Sequence, residues 1–155
     1  INLGGNIVTV GTKPDGSKYT IGIEKPFSDR QEIIGRTHIG EGTVVTSGIY
    51  ERQFEYKGKR YHHILSPKTG YPVDTDLEAV SLVTAKNSSM DTDAMSTICL
   101  MKGTKAAKKF IDSQNIHHRG DGFRGRIINK EPKKRDSSGN RPAFICKEPI
   151  IFCDS

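Results

Sequence analysis

Residues 78–103 read EAVSLVTAKNSSMDTDAMSTICLMKG, and the change of period inside this stretch decides the fold. Glu78 to Thr84 reads as a strand, whereas Asn87 to Lys102 has helical spacing, with Met90, Ala94, Thr97, Ile98 and Met101 on one stripe. Ser88 or Ser89 caps the start, Asp91 and Asp93 suit the positive end of the helix dipole, and Gly103 stops the helix. A second amphipathic helix is expected from Lys105 to about Ser113 through Ala106, Phe110 and Ile111. Strands followed by two consecutive helices make an α+β fold with a mostly antiparallel sheet.

Upstream the chain reads as strands. Val8 and Val10 alternate with small polar residues, Lys13-Pro14-Asp15-Gly16 is a turn signal, and Tyr19, Ile21 and Ile23 alternate again, so a hairpin is expected there, ended by Pro26. A second β-region covers Gly42 to Gly48, then Tyr50 to Tyr56, a Lys57-Gly58 turn, and Arg60 to Leu65. Pro67-Lys68-Thr69-Gly70 is a loop.

Downstream the pattern decays. Residues 115–155 have loop-like composition, with Glu131-Pro132-Lys133-Lys134-Arg135 at their centre. Short apolar pieces at Ile127-Ile128, Phe144-Ile145 and Ile150-Ile151-Phe152 are candidates for an added edge strand. The division expected is residues 1–114 as the folded part and 115–155 as a basic, irregular tail.

The whole chain, 155 residues and 17.1 kDa, is one domain's worth. Its 34% hydrophobic and 27% charged residues and mean hydropathy of -0.55 exclude membrane-spanning and collagen classes. Ile1 to Asn6 shows no initiator Met and no signal-peptide pattern, so any targeting segment is expected outside this sequence. The net charge of +6 sits mostly in the tail, where residues 113–155 carry nine Lys+Arg against five Asp+Glu. Nothing resembles a zinc finger, a basic zipper or an aromatic RNA-binding sheet, so nucleic acid is not an expected partner. Cys99, Cys146 and Cys153 form no CxxC and no disulfide framework.

Four segments concentrate chemistry. In Leu3-Gly4-Gly5-Asn6 the glycines let a backbone approach a ligand or phosphate, with Asn6 as donor or acceptor, or they mark a bulge or tight packing. Thr46-Ser47-Gly48, followed by Tyr50 and Arg52, suits an anion or an ordinary strand-ending turn. In Tyr61-His62-His63-Ile64-Leu65 the two histidines point to opposite strand faces, so only one serves a site, as general acid or base or as a phosphate holder; a histidine satisfied within the fold is the other reading. Asp93 and Thr97, four apart, place a carboxylate and a hydroxyl on one helix face, a hard-oxygen pair suited to Mg²⁺. Acidic residues early in a helix also simply complement its dipole, which accounts for Asp91 but not for Thr97.

These segments, with Pro14-Asp15-Gly16 and Pro67-Lys68-Thr69-Gly70, occur in the order found in one family: residues 1 to 112 resemble the ApbE family, the FAD:protein FMN transferases. The resemblance implies an α+β fold and a Mg²⁺-dependent reaction in which FAD is split at its pyrophosphate, FMN passes to a threonine hydroxyl of an acceptor flavoprotein, and AMP leaves. It implies that His63 is catalytic, that Asp93 and Thr97 ligate the metal, and that Gly4, Gly5 and Asn6 with Thr46, Ser47 and Gly48 line the flavin-nucleotide pocket. It also implies an exported, membrane-anchored lipoprotein. The alternative is a half-site that binds a flavin nucleotide or slowly hydrolyses FAD without modifying an acceptor.

Three departures from the family pattern shape the expectations. Relatives extend upstream of the Leu-Gly-Gly-Asn strand, so this sequence looks like a C-terminal half, to be completed by another half or by a homodimer. Many relatives have Asp where Ser66 stands. Relatives also continue after the second helix into an apolar strand, which is expected to be missing or replaced here.

Overall fold

The computed structural model describes residues 1–28, 32–85, 88–117 and 124–129. In chain order these form β1 (Asn2–Leu3), β2 (Asn6–Thr9), β3 (Tyr19–Glu24), β4 (Ile33–Ile39), β5 (Gly42–Gly48), β6 (Gln53–Tyr56), β7 (Lys59–His62), β8 (Leu77–Ala85), α1 (Ser89–His117) and β9 (Arg124–Asn129). Five strands make one antiparallel sheet in the order β1-β2-β5-β8-β9, while β3–β4 and β6–β7 are separate two-stranded sheets. The α+β class and the antiparallel sheet therefore match the sequence reading.

β5 and β8 pair along their length, from Gly42↔Ala85 to Gly48↔Ala79, and this register sorts the side chains. Because alternate residues share a face, Val45, Leu82 and Val80 point toward α1, where Val80 and Leu82 pack with Cys99, Leu100, Ala107 and Ile111. Ala79 points the other way and packs with Ile23 of β3. Strand β8 is thus buried on both faces, with Leu77, Ala79, Val80, Ser81 and Leu82 all fully buried. Its mixture of β-branched and small residues suits that position.

Three expectations require correction. The turn at Lys13 to Gly16 forms, with the Gly16 N–H donating to the Lys13 carbonyl (2.8 Å), but it does not join two arms of a hairpin. β2 pairs with β5, and β3 pairs with β4, a strand the sequence reading missed after Pro26. Alternation records which residues are half-buried, not which strand they face.

One helical element runs from Ser89 to His117, and two helical runs within it meet at a kink at Gly103, whose φ of 70° and ψ of 170° are not helical. Gly103 is required there: a Cβ would lie in left-handed backbone and 2.8 Å from Asp76 Oδ1. That same Asp76 oxygen accepts from the Thr104 N–H (2.9 Å), so it caps the helix beyond the kink.

The buried stripe of α1 is also not the apolar one. Met90 is 82% exposed, and Ala94 and Ile98 are exposed, whereas Thr92 and Ser96 are fully buried. Their hydroxyls have partners: Thr92 Oγ1 donates to the Ser88 carbonyl (2.7 Å) and lies 3.1 Å from Thr84 Oγ1, and Ser96 Oγ donates to the Asp93 carbonyl (2.8 Å). A bonded hydroxyl buries at little cost, so apolarity alone picks the wrong face. Ser88 stands just before the helix, its carbonyl accepting from the Thr92 N–H, while its own hydroxyl donates to Thr84 Oγ1.

Finally, residues 115–155 are not irregular throughout. Ile127 and Ile128 lie in β9, which pairs with β8 across Val80 and Ala79, so the strand expected to be missing after the helix is present. The Phe144-Ile145 and Ile150-Ile151-Phe152 pieces lie outside the described residues.

Candidate functional site

Gly4 and Gly5 form the two-residue turn between β1 and β2, both at positive φ (61° and 91°), a geometry that glycine adopts without penalty. The Gly5 carbonyl accepts from the Thr46 N–H (2.9 Å), which docks this turn onto the end of β5. Beside the junction opens a cavity of about 430 Å³, and Gly4, Thr46, Ser47 and Gly48 line one side of it. Gly5 and Asn6 do not line it. Asn6 Oδ1 instead accepts from the Ser89 hydroxyl (2.8 Å), tying β2 to the start of α1.

The helix supplies the second wall through Asp93, Thr97 and Met101. Asp93 and Thr97 lie four residues apart and face the same space. A chain of hydroxyls fixes their height. Ser96 spends its proton on the Asp93 carbonyl, so Ser47 Oγ must be the donor in its 2.6 Å contact with Ser96 Oγ. Ser47 Oγ also lies 3.5 Å from Thr97 Oγ1, which in turn donates to the Asp93 carbonyl (3.3 Å).

Among the described residues, no hydrogen bond or ion pair reaches the Asp93 carboxylate, and no three His, Cys, Asp or Glu side chains cluster as a metal group. One carboxylate and one hydroxyl on a shared cavity wall fit Mg²⁺, which takes one or two protein carboxylates and completes its shell with water and substrate phosphate.

The third wall is the segment between β7 and the following loop. His63 is exposed and lines the cavity with Ile64 and Leu65, whereas His62 is buried on the opposite side. Of the two histidines, His63 is the one on the cavity wall. The His63 N–H donates to the Arg52 carbonyl (3.2 Å), and its ring Nδ1 lies 3.4 Å from the same oxygen. A carbonyl only accepts, so Nδ1 carries the proton in this contact and Nε2 is left with its lone pair.

Of the candidate site residues, the cavity therefore brings together Gly4, Thr46, Ser47, Gly48, His63, Asp93 and Thr97. It adds Glu51 and Arg52, which stand beside the Thr-Ser-Gly segment in sequence, and Leu65 and Met101. The signal that could have found Glu51 is its place between Tyr50 and Arg52; Met101 carried only a core-like stripe. Tyr50 packs edge-on to Phe27 (5.7 Å between centroids), and burial pushes its hydroxyl up to about 12, with the Glu51 and Glu24 carboxylates adding to the shift. It is a structural neighbour and not an acid at neutral pH.

Comparison with known proteins adds the following. The family model described as "ApbE family" matches residues 1–119. The chain is similar to the "FAD:protein FMN transferase" of Klebsiella pneumoniae (strain 342), 46% identical over 105 residues that make up 68% of this chain and 31% of that protein. It is similar to the protein of the same name from Treponema pallidum (strain Nichols), 38% identical over 66% of this chain and 30% of that protein. Among solved structures, the ApbE protein of Thermotoga maritima matches with a TM-score of 0.65 at 28% identity, over 90% of this chain and 40% of that one. The apo flavinyl transferase ApbE of Pseudomonas stutzeri matches with a TM-score of 0.62 at 28% identity, over 84% and 37%. The chain spans about a third of the length of the curated relatives it matches.

Proposed function

The chain belongs to the ApbE family, and from that premise we propose that it takes part in Mg²⁺-dependent transfer of FMN from FAD to a threonine hydroxyl of an acceptor flavoprotein, with release of AMP. The observation that carries this reading is the convergence of His63, the Asp93–Thr97 pair and the Gly4 and Thr46-Ser47-Gly48 backbone on one cavity.

In the proposed step the acceptor hydroxyl oxygen attacks the phosphorus of the FMN half. The new bond is threonine O–P, the bond broken is the P–O link to AMP, and the hydroxyl proton goes to a base. His63 suits that task because its Nε2 is the free nitrogen and histidine is the side chain that most often serves as a general base. Asp93 and Thr97 would hold Mg²⁺, which supplies charge neutralisation at a pyrophosphate. The Thr46-Ser47-Gly48 strand end, held to the helix through Ser47 and Ser96, offers a preformed wall for the nucleotide. Most of the catalytic power in such transfers comes from positioning and electrostatics, which these fixed elements provide.

The resemblance extends the proposal to an extracytoplasmic, lipid-anchored protein; among the described residues, no helix is long and apolar enough to cross a membrane.

The test is intact-mass analysis of an apo-flavoprotein acceptor incubated with this chain, FAD and Mg²⁺. The expected result is an FMN-sized mass gain, abolished by EDTA and by His63→Ala. AMP release without a mass gain would replace the reading with a FAD-hydrolysing half-site, and neither product would refute it.

A further inference from the structure

The hairpin of β6 and β7 has two unlike faces. Its register pairs Phe54 with Tyr61 and Tyr56 with Lys59 on one face, and Gln53 with His62 and Glu55 with Arg60 on the other. The second face is turned to the body of the protein: His62 is buried, and the Arg60 guanidinium lies 4.4 Å from the Phe27 ring. The first face looks outward. Phe54 and Tyr61 stack with centroids 5.2 Å apart and planes 7° from parallel, and Phe54 and Tyr56 remain 64% and 58% exposed.

Cations frame these rings. Lys59 Nζ lies 5.6 Å from the Tyr61 centroid and Lys57 Nζ 5.3 Å from that of Tyr56. The one acid of the two strands, Glu55, is on the opposite face. The outward face is therefore aromatic and purely cationic. Both of its strands run directly into the cavity: Arg52 precedes β6, His63 follows β7, and each lines the site.

We infer that this outward face of the β6–β7 hairpin docks an acidic segment of the acceptor protein, placing the acceptor's hydroxyl beside His63. The inference rests on the proposed transfer reaction for what the segment brings. It rests on the hairpin's own charge and exposure for how the segment is held. Carboxylates on the segment meet Lys57 and Lys59, and its apolar side chains cover the Phe54–Tyr61 stack, a combination of charge complementarity and aromatic anchoring typical of small recognition faces. An exposed aromatic pair on a solvated hairpin has no role in the core, whose residues lie elsewhere.

Two synthetic peptides test this by fluorescence anisotropy with the chain in the absence of FAD: one carrying a threonine among aspartates and apolar residues, the other with lysines replacing the aspartates. The aspartate peptide is expected to bind and the lysine peptide not. Lys57→Glu/Lys59→Glu is expected to weaken the aspartate peptide by about tenfold and to bind the lysine peptide instead, while Phe54→Ser/Tyr56→Ser weakens the aspartate peptide without gaining the lysine one.

The charge swap gains a ligand, which a merely misfolded variant does not do. FAD binding and the melting temperature should be unchanged in both variants. Equal binding of the two peptides, preference for a single-stranded oligonucleotide, or concentration-dependent self-association that excludes the peptide would each overturn the inference. Peptide binding does not depend on catalysis, so an absence of flavin transfer alongside the charge-swap result would refute the transfer reading and leave the docking face standing.

Discussion

On one side of the cavity, Ser96 and Thr92 are fully buried and joined by hydroxyl contacts to β5 and β8; on the other, every residue from Glu51 to Arg60 is exposed. The two walls share a site but not a way of being stable. The α1 wall stands on the main core of Val80, Leu82, Leu100 and Ile111, whereas the hairpin wall stands on two strands, the buried His62 and the contact of Arg60 with Phe27. A two-stranded hairpin is marginal by itself, so its position depends on that anchorage. The comparison teaches that Asp93 and Thr97, the proposed metal ligands, are set in the half built on the core, where displacement is costly, and His63 in the half that carries the proposed docking face.

The sharpest way to break this contrast is through the histidines. His63→Ala should lower flavin transfer by roughly 10²–10⁴-fold, the usual worth of a general base, with little change in melting temperature because the side chain is exposed. His62→Ala should do the reverse, lowering the melting temperature more than the activity per folded molecule, since that side chain is buried.

Leu100→Ala, at a fully buried site of the core under the α1 wall, should destabilise by about 2–5 kcal/mol in urea unfolding. Phe54→Ser on the hairpin should stay within about 0.5 kcal/mol. Equal effects at the two sites would erase the distinction between the walls.

Asp93→Ala should remove the Mg²⁺-dependent gain in FAD affinity, measured by flavin fluorescence. The loss should be at least the roughly 10–100-fold that follows removal of a metal site's outer partners. Asp76→Ala should cost about 1 kcal/mol through the lost cap on Thr104 and leave the Mg²⁺ response intact.

The smallest effect is alkaline. Burial pushes the Cys99 thiol from 9.0 up to about 11, and Tyr50 from 10.0 to about 12. For both, the unfolded chain ionises first. The contribution of these two groups to stability is therefore constant below about pH 9 and declines as the pH rises through these values, a decline that Cys99→Ser should lessen at its lower end.

The sequence made the strand-to-helix switch at residues 78–103 legible because a change of period is a local property. Strand partnership was not legible: the turn at Lys13 to Gly16 is real, yet β2 and β3 leave it for different sheets, and β4 carried no signal strong enough to claim β3. Where chemistry and spacing coincide, as at Asp93 and Thr97, the helix register that the sequence shows puts both residues on one cavity wall. Where a long-range bond ties a residue elsewhere, the sequence carries no sign of it. Asn6 looked like a pocket residue, and its partner Ser89 is 83 positions away. The buried face of α1 was misjudged because Thr92 and Ser96 count as polar in sequence and as satisfied core in the structure.

The hydroxyls of Thr84, Thr92, Ser47 and Ser96 do something that oily contacts do not. A helix resting on aliphatic side chains alone could creep along a sheet by one turn, about 5.4 Å, and still bury a similar area. Hydroxyl pairs reach only about 3 Å and tolerate no such slip. They work as index marks on a vernier, fixing where along β5 and β8 the first turns of α1 come to rest. Exchanging Ser96 for alanine should therefore leave a protein of nearly ordinary stability whose carboxylate at position 93 has lost its calibration.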